Sequence, residues 1–176
     1  MNETVQKRFL LYFRLSLLLW ILIANAILNV MNFEYGWLIF ISNIMLFTME
    51  GDIKDRLISV EVGGFVGLVL TVVALLSISA LTPVLGGLFG FLIPLAVVLF
   101  ILIVLHPYAP KALNNVGFAY LTCACIDVNA FSSNIPLFFG TFIVGSLIFN
   151  GICVLLMGPC KKLAMRSEAQ GENKAV

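Results

Sequence analysis

Reactive side chains are scarce in this sequence, which has one histidine, His106, and only 11% charged residues. With no second histidine and no HExxH or GxxxxGK[ST] motif, the usual hydrolase, zinc-protease and nucleotide-binding patterns are absent. The four cysteines include no CxxC pair, so we interpret them as small packing residues. We therefore expect a protein that is not an enzyme and that carries no cofactor and no metal.

A charge excess is also missing, because the formal net charge is only +1. This argues against a nucleic-acid partner. Apolar residues, by contrast, make up 61% of the chain, and the mean hydropathy is +1.10. A soluble domain of 176 residues cannot bury that much apolar surface, which indicates a chain that lies in a lipid bilayer. Continuous apolar runs, rather than alternating ones, favour helices over a membrane barrel.

Six apolar stretches follow one another along the chain. They cover residues 10–32, 36–48, 57–80, 84–105, 112–126 and 135–157. We therefore predict an all-α polytopic membrane helix bundle with six transmembrane spans. Residues 1–160 would form a single transmembrane domain, and residues 161–176 a disordered cytoplasmic tail.

The basic residues indicate how such a bundle is oriented. All ten fall before the first stretch, just inside it, in alternate connections, or after the sixth stretch: Lys7, Arg8, Arg14, Lys54, Arg56, Lys111, Lys161, Lys162, Arg166 and Lys174. The intervening connections, near Glu34, Thr82 and Asp127, hold no Lys or Arg. Because positively charged connections stay in the cytoplasm, both chain termini are predicted to be cytoplasmic and the number of spans even.

The second and fifth stretches are shorter than the roughly 20 residues that cross a bilayer. They occupy matching places if the chain is divided into two halves of three spans, and the second half would then be inverted relative to the first. Matching short segments favour a central solute site; the alternative is two tilted helices in a shielded region. Gly63 and Gly67, like Gly86 and Gly90, have the small-xxx-small spacing that favours close helix packing.

Amide side chains are concentrated in three of the predicted spans. Asn25, Asn29 and Asn32 share one face of the first span, since they are separated by four and three residues. This stripe either joins helices through hydrogen bonds or lines an aqueous path for a small solute. Further candidates for the path lie in the short spans. They are Asn43, Asn114, Asn115 and Tyr120.

Two features near the cytoplasmic side have competing interpretations. Asn114 and Asn115 either cap the fifth helix or, with Lys111, attract an anion from the cytoplasm. Glu61 lies about one turn inside the third span, where a carboxylate is usually paired or functional. Arg14 is its first candidate partner, with Arg56 or Lys111 as alternatives. If Glu61 instead faces a cavity, it is the best candidate for a proton-coupling site.

The run Gly51-Asp52-Ile53-Lys54-Asp55-Arg56, followed by a glycine-rich helix with Gly63, Gly64 and Gly67 and by a break near Pro83, resembles a known family. It is similar to small bacterial inner-membrane proteins grouped under a domain of unknown function. More distantly, it resembles the membrane half of fusaric-acid-resistance and aromatic-acid-exporter proteins. The resemblance implies a bacterial inner-membrane protein that handles small organic acids.

These patterns predict a transporter or channel for a small solute in the bacterial inner membrane. Its partners would be the lipid bilayer, the solute and further copies of the same chain, as a homo-oligomer. The alternative is a membrane scaffold or a subunit of a larger complex, in which the polar residues only join helices. A continuous polar path would distinguish the first interpretation from the second.

Overall fold

The computed structural model describes residues 2–172, and every regular element within them is helical. The α-helices are α1 (Glu3–Val30), α2 (Trp37–Thr48), α3 (Ile53–Val104), α4 (Asn115–Ile126), α5 (Val128–Ser133), α6 (Ile135–Gly140) and α7 (Leu147–Glu172). A π-helical segment, Thr141–Ser146, joins α6 to α7, and two short 3-10 turns cover Glu34–Gly36 and His106–Tyr108. The all-α prediction is thus confirmed.

Three helices within the described residues are long and apolar enough to cross a bilayer. They are Glu3–Val30, Ile53–Val104 and Ile135–Glu168. The last of these continues through α7 to Glu172, although a disordered tail was expected from Lys161 onward. Residues 173–176 of that predicted tail lie outside the described residues.

The chain divides into two compact units. Unit 1 combines the N-terminal residues through Gly36 with residues from Ile148 onward, and unit 2 comprises Trp37–Leu147. Within unit 1, α1 and α7 are antiparallel: the Arg8 guanidinium donates to Ser167 Oγ at 3.3 Å, and Trp20 stacks on Phe149 with ring centroids 5.5 Å apart. Among the described residues, unit 1 therefore brings the basic side chains of the two chain termini together at one end of its helix pair.

Unit 2 is organised around α3, which reverses direction at Gly86. Gly86 has φ 78° and ψ 165°, a backbone conformation that residues other than glycine rarely adopt. A Cβ atom on Gly90 would overlap the backbone of Thr82, although a straight helix would separate these residues by about 12 Å. Leu70 and Leu102, each 16 residues from Gly86, likewise share one core cluster. Residues 53–85 and 87–104 are therefore antiparallel arms of a hairpin.

This hairpin refines the prediction for the third and fourth stretches. The arms correspond to residues 57–80 and 84–105, but the helix continues through Pro83 and the reversal falls at Gly86. The break predicted near Pro83 therefore lies three residues further along the chain. Since glycine adopts positive φ without steric cost, Gly86 supplies the turn, whereas Gly90 allows close approach of the arms.

The short helix α4 packs directly on the first arm of α3. A Cβ on Gly67 would overlap the backbone of Gly117, and one on Gly63 would overlap the Asn114 side chain. The two helix backbones therefore approach each other without intervening side chains. The close packing predicted from the Gly63/Gly67 spacing is confirmed, and its partner is α4.

The connections on either side of this pair meet at one end of unit 2. Lys111 forms a salt bridge with Asp55 at 2.6 Å. Arg56 donates to the carbonyl oxygens of Leu46 and Met49, each at 3.2 Å, and so satisfies the C-terminal end of α2. Unit 2, like unit 1, therefore collects its basic side chains at a single end, which we call the basic end of unit 2.

Candidate functional site

Unit 2 contains a set of polar side chains among otherwise apolar helices. Those that are buried are Ser42, Asn43, Ser59, Thr71, Asn114 and Ser146. Glu61, on the first arm of α3, is half-buried. Because a carboxylate inside an apolar helical body is costly unless it is bonded or functional, Glu61 is the starting point for the candidate site.

Glu61 is held by a serine from the π-helical segment. Ser146 Oγ donates to Glu61 Oε2 at 2.7 Å, and Ser146 is fully buried. A π-helical segment is wider than an α-helix and occurs frequently at functional sites. Here it places a hydroxyl against the carboxylate, which gives Glu61 a charge-assisted hydrogen bond.

Tyr120 lies beside this pair. Its ring packs edge-on against Phe142 with centroids 4.6 Å apart, and its hydroxyl donates to the carbonyl of Leu38. Ser42 and Glu61 also lie close enough to interact with Tyr120 electrostatically. We call Glu61, Ser146, Tyr120 and Ser42 the polar cluster. It joins α2, α3, α4 and the π-helical segment.

Gly64 makes room for this arrangement. A Cβ at this glycine would lie 2.5 Å from Phe142 Cζ and 3.0 Å from Tyr120 Cδ2. Both rings therefore rest on the bare backbone of α3, about one turn beyond Glu61. The glycine-rich sequence thus shapes the polar cluster as well as the packing of α4.

An open pocket of about 600 Å³ lies at the basic end of unit 2. Its lining consists of Met45, Thr48, Met49, Ser59, His106, Pro110, Lys111, Asn114, Asn115 and Val116. The lining combines hydroxyl, amide and cationic groups with two methionines. Such a lining suits a small solute that carries an acidic group and an apolar part.

Asn114 forms the wall between this pocket and the helix pair. Its Oδ1 accepts from the backbone N–H groups of Val116 and Gly117 at 2.9 and 3.2 Å, which makes it the N-cap of α4. Its Nδ2 donates to the Ser59 carbonyl at 3.0 Å. The capping interpretation is therefore confirmed for Asn114, whereas Asn115 is exposed.

The predicted site residues of the first span have a different environment. Asn25 and Asn29 are exposed on α1, and Asn25 Nδ2 donates to the Ile21 carbonyl of the same helix at 3.0 Å. Asn32 is also exposed, but it lies beyond the end of α1 with φ 50°, so the prediction that all three share one helical face is wrong for Asn32. Arg14 is exposed as well. These residues belong to unit 1 and Glu61 to unit 2, so the Glu61–Arg14 pair stays a prediction. Asn43, also predicted, is buried in α2.

Sequence reasoning missed Ser146, Phe142 and Gly117. The signal for Ser146 was weak, because a single serine in an apolar run is common in membrane helices, where it bonds to its own backbone. Gly117 is an isolated glycine, and its packing role depends on the distant Gly67. Only the three-dimensional arrangement brings these residues together.

Comparison of the chain with protein-family models, curated proteins and solved structures finds no match. The resemblance to bacterial inner-membrane proteins therefore stays a prediction. What the structure defines is an all-helical protein with three helices suited to crossing a bilayer, and with a polar cluster inside unit 2.

Proposed function

We propose that the chain is an integral protein of the bacterial inner membrane with six spans and two inverted halves of three. The helical segments support this division, since their lengths run long, short, long in each half. The first half would be α1, α2 and the first arm of α3; the second would be the other arm, α4, and the helix from Ile135 onward. The reversal at Gly86 separates the halves.

The distribution of basic residues supports cytoplasmic chain termini. Each unit, taken by itself, gathers its basic side chains at one end, as the positive-inside rule requires of a correctly oriented chain. Cysteine substitutions at Asn2 and Ala175 test this orientation. In sealed, right-side-out vesicles, neither thiol should react with a membrane-impermeant maleimide until the vesicles are opened. Labelling of one terminus alone would contradict an even number of spans.

We further propose that the protein transports a small solute, with the polar cluster as its binding or coupling site. The observation that carries this proposal is the half-buried Glu61 carboxylate, which accepts a hydrogen bond from Ser146 on a π-helical segment. A helix bundle that served only as an anchor would need no carboxylate there. An intramembrane acid that can gain and lose a proton is the usual coupling group of secondary transporters.

The pocket at the basic end of unit 2 would be the cytoplasmic entrance. Ser59 lines it, whereas Glu61, two residues later on the same arm of α3, faces about 200° around the helix from Ser59 and is not a lining residue. The proposed route would therefore have to continue from the pocket around α3 to the polar cluster. His106 and Lys111 make a small organic acid the favoured solute class, in agreement with the resemblance to exporters of aromatic acids. Lys111 already pairs with Asp55, so an incoming carboxylate would compete with Asp55 for it.

The test is flux in liposomes that contain the purified protein, over a panel of organic acids, amines and neutral solutes. Glu61→Gln keeps the shape of the side chain and removes its charge, and it should lower flux at least tenfold or abolish its dependence on a proton gradient. Glu50→Gln is the matched control, since Glu50 is an exposed acid in the turn before α3. It should leave flux unchanged.

A membrane scaffold or subunit is the second candidate function. It is supported by the hydrogen bonds that join Tyr120 to Leu38 and Asn114 to Ser59 across helices, since bonded polar residues can serve packing alone. If no solute in the panel crosses, the scaffold interpretation replaces transport. If Glu61→Gln and wild type transport equally with the same proton dependence, the protein is a transporter, but Glu61 is not its coupling group.

A further inference from the structure

One face of α1 carries an uninterrupted heptad pattern. Its residues are separated alternately by four and three positions: Leu11, Leu15, Leu18, Leu22, Asn25 and Asn29. All six are exposed. Such spacing is typical of a helix that packs lengthwise against a partner helix, where leucines interdigitate and a few polar residues fix the register. We call these six residues the heptad stripe.

The heptad stripe lies opposite the face that α1 uses within unit 1. Ser16 contacts Cys160 with Oγ and Sγ 3.5 Å apart, and Trp20 stacks on Phe149, so these residues define the side of α1 that packs against α7. Phe13 and Ala24 are buried on the same side. At 100° per residue, the centre of the heptad stripe is about 180° from this side. Packing within unit 1 therefore does not cover the stripe.

Lipid alone explains the leucines of the stripe but not its amides. Asn25 lies five residues before the helix ends at Val30, about 8 Å along the helix axis. Its Nδ2 bonds to the helix backbone, but within the described part of the chain its side-chain oxygen receives no hydrogen bond. Hydrocarbon offers no donor to that oxygen, and the cost of an unsatisfied amide favours a polar partner.

We propose that the heptad stripe is the interface of a parallel homodimer in which α1 of one copy packs against α1 of a second copy. The asparagine amide is both donor and acceptor, so it is complementary to itself across a two-fold axis. Two copies with the same orientation place Asn25 opposite Asn25 and Asn29 opposite Asn29 at equal depth. An unrelated partner protein has no such symmetry to place its polar groups at the same depth as these amides. The inference uses membrane insertion but not transport, so a failed flux assay leaves it intact.

Oxidative cross-linking of the full-length protein in liposomes tests this interface. Leu22→Cys places a thiol on the stripe, and Leu19→Cys places one on a flank about 60° from Leu22 and further from the stripe centre. The two leucines are matched, since their exposed fractions are 58% and 60%. Leu22→Cys should give a disulfide-linked dimer, and Leu19→Cys should not. Wild type under the same oxidant gives the background from the native cysteines.

The amides are tested separately by Asn25→Leu, which makes the stripe more apolar without shortening it. Single-molecule photobleaching at decreasing protein-to-lipid ratios should show a dimer association constant about tenfold weaker than that of wild type. Stronger association would mean that leucine packing alone drives the contact and would overturn the role of the amides. A monomeric wild type at every ratio, or equal cross-linking of Leu19→Cys and Leu22→Cys, would overturn the interface itself.

Discussion

The contact between α3 and α4 and the exposed face of α1 are built from opposite kinds of residue. Gly63 and Gly67 let α4 approach until Gly117 meets bare backbone. Along α1, large leucines remain exposed, although this helix is also strongly apolar. Hydrophobicity is common to both regions, so it does not explain why one packs closely and the other does not.

The difference follows from the solvent. In water, exposed leucines would favour association of almost any kind, whereas in lipid they are as well solvated by acyl chains as by protein. Association then requires close backbone contact or hydrogen bonds. The α3–α4 pair uses both, since Asn114 bonds across it to Ser59. The heptad stripe has amides but no glycine, and we therefore assign it a weaker contact, between copies of the chain.

The largest effect should come from a methyl group placed inside the close contact. Gly67→Ala puts a Cβ into the backbone of Gly117, which cannot move as a flexible side chain can. We expect the free energy of unfolding, measured by SDS titration in detergent micelles, to fall by about 3 kcal/mol. Gly151→Ala in α7 is the control, because no atom lies within 4 Å of the added Cβ. It should gain about 0.5–1 kcal/mol from helix propensity.

Equal stability of Gly67→Ala and wild type would mean that α3 and α4 are further apart than the structure places them. A loss of similar size in Gly151→Ala would indicate instead that α7 meets another surface at that glycine. Either result would remove the contrast between the close glycine contact and the open face of α1.

The fold was largely predictable where local sequence sets the outcome. Continuous apolar runs gave the helices, and the bounds of α2 and α4 agree with the predicted stretches to within a few residues. The connection between the third and fourth stretches was predicted near Thr82, where the apolar stretches are interrupted, and the resemblance placed a break near Pro83. The reversal falls a few residues later, because it needed a residue with positive φ, and Gly86 supplies one.

The candidate site was less predictable, because its residues come from distant parts of the chain. Glu61 was recognised from its depth in an apolar run, and Tyr120 from its place in a short span. Ser146, the hydrogen-bond donor to Glu61, lies 85 residues away in the sequence. No local sequence pattern predicted the π-helical geometry of its segment. A sequence identifies a costly carboxylate more readily than it identifies the group that satisfies it.

A smaller effect is expected at the polar part of the α3–α4 contact. Asn114→Ala removes the N-cap of α4 and the hydrogen bond to the Ser59 carbonyl, while the glycine contact remains. Caps of this kind contribute about 1–2 kcal/mol, so the free energy of unfolding should fall by that amount, less than for Gly67→Ala. Asn115→Ala is the adjacent control: its side chain is exposed at the first position of α4, and its loss should change stability by less than about 0.5 kcal/mol. If Asn114→Ala proved the more damaging of the two contact variants, hydrogen bonding rather than backbone proximity would be the main source of α3–α4 association. The heptad stripe, with its two amides, would then be expected to bind its partner as firmly as the glycine contact binds α4.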